Sequence, residues 1–128
     1  MNKIILLLVI FLQSCYLANG SPSENEYWFR DSEKLSYKDS KKCSSQVFPN
    51  LGERYIYLYN KRQRVGFIEF YKNKKEAEEY NIYLDKAAKL LSKCYYGLGY
   101  RFKAPPYWCL AQDGDNTRIC IENMRYRN

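Results

Sequence analysis

The sequence predicts a small α+β domain with one long amphipathic helix, one short helix and two β-hairpins, held by two disulfides. Three observations carry that expectation. Eight apolar residues, from Ala77 to Tyr95, recur at steps of three and four. Two stretches, near residues 55–70 and 107–123, each read as a pair of strands around a polar connection. Four cysteines, Cys43, Cys94, Cys109 and Cys120, form an even set once a fifth is assigned to an export signal. The chain has 128 residues, room for one domain.

The N-terminus sets the compartment. Lys3 precedes an unbroken apolar run from Ile4 to Leu12. Nine such residues are too short for a bilayer, which takes about 20, and the pattern is that of an export signal over residues 1–14. Two endings compete. Leu12-Gln13-Ser14-Cys15 resembles a bacterial lipobox, with Gln13 in place of its usual small or branched residue; Cys15 would then be lipidated and become the membrane anchor. Ala18-Asn19-Gly20 is a small-x-small site for ordinary cleavage, which would give a freely secreted basic protein acting as an interaction or toxin-like module. Either ending takes Cys15 out of the disulfide count and exports the protein, where thiols oxidise. Residues 15–26, rich in Gly, Pro, Ser and Asn, read as a flexible tether with a span of about 18 Å. The domain proper is expected over 27–128, opening on the aromatics Tyr27-Trp28-Phe29.

Within it, Ser36 to Asp39 resembles a capping box and starts a short helix that carries Cys43. Tyr55-Ile56-Tyr57-Leu58-Tyr59 alternates tyrosine with aliphatic residues and reads as a strand. Val65 to Phe70 reads as its hairpin partner. Asn73-Lys74-Lys75-Glu76 caps the long helix, with glutamates near its start, lysines near its end, and Gly97 or Gly99 to stop it. Pro105-Pro106 precedes a second hairpin, Tyr107 to Gln112 and Thr117 to Asn123, turning at Asp113-Gly114-Asp115-Asn116. In that register Cys109 faces Cys120. Cys43–Cys94 then staples the short helix to the long one, with Cys94–Cys109 as the competing pairing.

The chemistry is bounded by absences. The sequence has no histidine, so neither Ser-His-Asp nor Cys-His catalysis is available. No Cys-x2-Cys pair exists, so no metal is expected. No paired carboxylates, nucleophile motif or phosphate loop point to an enzyme or a cofactor. Asp113 to Asn116 fits a polar turn better than a calcium loop, whose twelfth position would be Met124. Gly66 to Phe70, followed by a helix with Glu76-Ala77-Glu78, resembles part of an RNA-recognition motif. Arg64 stands in place of its first glycine, and export removes the chain from nucleic acid, so no nucleic-acid partner is expected.

What remains is a surface. The net charge is +7, and Lys61, Arg62 and Arg64 crowd one connection. They read either as a site for an anionic envelope polymer or an acidic protein, or as a solvated face. Tyr55, Tyr57 and Tyr59 would line one strand face, covered by the N-terminal segment or open as an interface.

Tyr27-Trp28-Phe29-Arg30, Cys43, Cys94 with Gly99-Tyr100, and Pro105-Pro106-Tyr107-Trp108-Cys109, together with the lipobox, resemble a group of small envelope lipoproteins of Gram-negative bacteria. The resemblance implies a lipid on Cys15 and residence in the periplasm or at the outer membrane. Tyr16 after the lipidated cysteine favours the outer membrane. The resemblance gives no established activity; the role expected is non-enzymatic, binding, protective or structural. Residues between Cys43 and the long helix lie outside the pattern.

Overall fold

The computed structural model describes residues 20–112 and 114–128. The stretch expected to be an export signal, Cys15 and Asp113 lie outside the described residues. A 3-10 turn at Glu24–Tyr27 leads into β1 (Trp28–Arg30) and β2 (Glu33–Lys34). Helix α1 (Tyr37–Val47), a 3-10 turn (Phe48–Leu51), α2 (Glu53–Val65) and α3 (Phe67–Lys72) come next. The long α4 (Lys74–Gly97) is followed by β3 (Arg101–Phe102), α5 (Pro106–Cys109), α6 (Asn116–Asn123) and a last 3-10 turn (Met124–Tyr126). The result is a small, mostly helical α+β domain with one three-stranded antiparallel sheet and two disulfides.

Helix α4 is the spine. Its 24 residues span about 36 Å. The expected cap is present: the Asn73 side chain accepts from the Glu76 amide at 3.2 Å. The apolar stripe faces inward, with Ala77, Tyr80, Ala87 and Tyr95 buried. The first half of the stripe packs on Val47, Leu51, Tyr55, Leu58 and Phe70. The second half packs on Trp28, Cys43, Tyr100, Phe102 and Trp108. Leu91 touches both clusters. Helix α1 is capped as expected, Ser36 Oγ accepting from the Asp39 amide at 3.1 Å.

Both expected hairpins are helical instead. Residues 53–65 form α2, not a strand. Tyr/aliphatic alternation over five residues fits either period. The longer row Leu51, Tyr55 and Leu58, at steps of four and three, is the one that is buried. Gly66, at φ +85°, then separates α2 from α3 rather than lying within a strand. In α3, Phe70 is the buried anchor while Phe67 and Ile68 stand exposed.

Residues 107–112 and 117–123 do not pair as strands either. Pro106 opens α5 at a first-turn position, where its missing N–H costs nothing. Asn116 and Thr117 begin α6 and donate to the carbonyls of Trp108 (3.0 Å) and Cys109 (2.7 Å). A helix pair therefore brings Cys109 and Cys120 together, Cα–Cα 5.7 Å. The expected partners are joined, by a geometry other than the expected register. Cys43 and Cys94 are bridged across α1 and α4, Cα–Cα 5.9 Å.

The sheet sits where only buried aromatics were expected. Asp31 and Ser32 both have positive φ, +49° and +69°, as a two-residue β-hairpin turn requires. That turn pairs β1 with β2, and β3 adds to the other edge. Trp28 is fully buried at its centre. From Pro22 on, the segment read as tether touches the domain: Trp108 Nε1 donates to the Pro22 carbonyl at 2.7 Å.

Candidate functional site

The six surface candidates all lie on α2, and helical geometry divides them. Residues four apart share a helix face, so Tyr55 and Tyr59 face one way and Tyr57 another. Tyr55 is only 6% exposed, Tyr59 41% and Tyr57 48%. Tyr55 stacks on Tyr80 with an interplanar angle of 4° and ring centroids 5.9 Å apart. Phe48 and Tyr59 flank it at 6.0 and 6.1 Å. Burial, and next Tyr80, push the Tyr55 hydroxyl up to about 12. It therefore stays protonated near neutral pH.

Tyr55, Tyr59, Tyr80, Phe48, Ile56 and Leu84 line an open groove of 540 Å³. Its walls are aromatic and aliphatic. Ile56, 42% exposed, stands on its lip. Such a concavity suits an apolar side chain, because filling it removes apolar surface of both partners from water. Reading 55–59 as a strand put Ile56 and Leu58 on one face and missed Phe48 and Leu84 as neighbours. The helical row beginning at Leu51 was the signal that could have found them.

The basic side chains differ in how far they are committed. Lys61 Nζ is 2.6 Å from Glu76 Oε2. Arg54 makes a two-pronged pair with Glu79, at 3.0 and 2.7 Å. Arg62 lies over the rings of Phe67 (5.3 Å) and Tyr80 (5.8 Å), with its Nε buried and without a partner among the described residues. Arg64 is exposed and makes no ion pair with a described residue. Residues 53–75 hold seven basic side chains against Glu53 and Glu69. The arm formed by α2 and α3, with Lys74 and Lys75, thus carries a positive excess beside the groove, offset in part by Glu76 and Glu79 at the start of α4, which pair with Lys61 and Arg54.

Among the described residues, no group of three or more Cys, Asp or Glu side chains could hold a metal ion, and no helix is long and apolar enough to cross a membrane. Comparison of the chain with protein-family models, with curated proteins and with solved structures returned no match.

Proposed function

We propose that this protein is a non-enzymatic binding or protective lipoprotein of a bacterial envelope. A lipid on Cys15 tethers it to the outer membrane, and the aromatic groove receives an apolar side chain from an acidic protein partner. The observation that carries this reading is the juxtaposition of an open apolar groove with a basic arm. The arm raises the encounter rate with an acidic surface, and the groove supplies buried apolar contact once the two meet. Two disulfides in a chain of this size suit an oxidising compartment and support the exported location. A groove lined by rings, with a tyrosine hydroxyl held neutral, offers shape and apolar surface rather than reactive groups.

Two measurements on producing cells test it. Metabolic labelling with an alkyne fatty acid marks the wild-type chain and not a Cys15→Ser variant; an unlabelled wild type favours the secreted form cut after Gly20. A photo-crosslinking amino acid at Ile56 yields an adduct with an acidic protein, whereas the same residue at exposed Lys103 does not. The adduct fades with Tyr59→Ala and with Arg64→Glu. An adduct equally strong in both variants, or none at all, argues against the groove as the binding surface.

A further inference from the structure

A second concavity lies at the other end of α4, away from the groove. It has a volume of 260 Å³ and is closed by the first 3-10 turn, α4, α6 and the last 3-10 turn. Its lining is mixed: Glu24, Ser92, Arg118, Glu122, Asn123 and Arg125 supply polar groups between apolar walls of Ala88, Ile119 and Tyr126.

The charges on α6 are already paired, with each other and with neighbours on α4 and at the start of α6. Arg118 reaches Asp85 (3.4 Å), Asp115 (3.0 Å) and Glu122 (3.3 Å). Lys89 adds a longer contact of 3.9 Å to Glu122. Two charges at the cleft are different. Glu24 makes no hydrogen bond or close ion pair with a described residue. Arg125 lies over the Tyr126 ring at 5.9 Å and likewise has no carboxylate partner among the described residues. Burial, and then the nearby Glu122 charge, raise the Glu24 carboxyl from its ordinary value, with Arg118 opposing.

Two neutral side chains make the stronger observation. Ser92 is 2% exposed and Asn123 4%. Neither side chain hydrogen-bonds to a described residue. Among the described residues, the sealed and unpartnered side-chain polar atoms are Trp28 Nε1 and Arg62 Nε. The Ser92 hydroxyl and the Asn123 amide are therefore not sealed, and the opening they reach is this cleft. Buried polar groups normally have partners inside the fold. Two that turn instead toward one cavity, beside a carboxylate and a guanidinium that make no close ion pair with a described residue, describe a site for a polar guest.

We propose that the cleft binds a small zwitterion bearing a primary ammonium and a carboxylate, such as a free α-amino acid. Its ammonium meets Glu24, its carboxylate meets Arg125, and its polar atoms bond to Ser92 and Asn123. A zwitterion gives Glu24 and Arg125 each a close partner of opposite charge and adds no net charge to the site. A simple anion would face Glu24, and a simple cation would leave Arg125 unanswered. The volume suits one amino acid rather than a longer peptide.

Saturation-transfer NMR on the full processed chain, with the free proteinogenic amino acids as probes at millimolar concentration, tests this. At least one amino acid shows transfer, and its addition shifts the Asn123 side-chain amide and Ser92 amide signals in a 1H–15N spectrum. The N-acetyl derivative of that amino acid, which lacks the ammonium, binds about tenfold more weakly or worse. Its primary amide, which lacks the carboxylate, is also weakened. Glu24→Gln and Arg125→Gln each reduce affinity about tenfold while far-UV circular dichroism is unchanged. The proposal is overturned by absence of transfer from every probe, by shifts confined to residues outside the cleft, or by blocked derivatives that bind as well as the parent. Should Glu24→Gln fail to fold, Arg125→Gln and the two derivatives decide the matter on folded protein.

Discussion

Removing the two disulfides one at a time gives the sharpest test of how this domain is held. Cys43 and Cys94 are separated by 51 residues, Cys109 and Cys120 by 11. In the chain-entropy treatment, closing the longer loop restricts the unfolded chain by about 4.1 kcal/mol at room temperature and the shorter by about 2.8 kcal/mol. The difference, about 1.3 kcal/mol, is close to tenfold in the folding equilibrium. Packing widens the gap. Cys43 is fully buried in the Trp28 cluster, while Cys109 and Cys120 sit at its edge. For the Cys43→Ala/Cys94→Ala pair, a urea slope of about 1.5 kcal/mol/M moves the midpoint down by about 2.7 M or more. For Cys109→Ala/Cys120→Ala the fall is about 1.9 M. Domains of this kind rest on a total of about 5–15 kcal/mol, so the first double variant gives up a quarter or more of it. Urea titrations followed by tryptophan fluorescence read both, since Trp28 and Trp108 lie in the cluster that both bridges border. A second double variant as unstable as the first would refute the loop-closure reasoning. A Cys43–Cys120 peptide in a non-reducing mass map would refute the pairing itself.

Two further outcomes follow from side-chain placement. Leu58→Ala costs about 3 kcal/mol or more, because Leu58 is 0% exposed between α2 and α4, whereas Ile56→Ala costs about 1 kcal/mol or less; comparable losses in a urea titration would restore the strand, on which both residues share a face. Asp39 binds Tyr100 Oη at 2.7 Å and Arg30 at 3.1 Å, tying β1, α1 and the chain before β3 together. The Tyr100 hydroxyl, more than any other group, holds the Asp39 carboxyl below its ordinary value, with the Ser36 cap and Arg30 adding to it. Its contribution is therefore complete above the unfolded carboxylate value of about 3.9 and is lost as pH falls through the lower folded value. Asp39→Asn should be less stable at neutral pH and lose less stability on acidification below about pH 4; parallel pH profiles for the two proteins would contradict this.

How much of this could be read from residues alone varied with the reach of each signal. The long helix was legible because its stripe runs through five turns and is bracketed by Asn73 and Gly97, so that cap, charge order and period agree. The short helix was legible from Ser36 and Asp39. The arm was not. Five alternating residues at 55–59 satisfy a strand, and the helical period appears only when Leu51 is counted. The groove inherits that difficulty, since Phe48, Tyr55 and Leu84 come from three separate elements. The polar cleft was further from view: Glu24 falls in a segment with the composition of a linker, and Arg118 with Glu122 reads as an i,i+4 pair only if residues 116–123 are helical.

By itself, then, the sequence determined the four cysteines that pair in the domain, the absence of histidine, and the stripe and caps of α4. These are local or countable properties, settled by composition or by a period repeated over many turns. Tertiary structure decided the rest. It chose helix over strand for residues 53–65, 67–72, 106–109 and 116–123, because burying Tyr55, Leu58, Phe70 and Trp108 against α4 and the sheet outweighs the weak preference of a short alternating run. It made β1 a strand by giving Trp28–Arg30 partners on both edges, one of them more than 70 residues away. The groove and the cleft belong to that second category, since each is a space between elements that no single segment encloses.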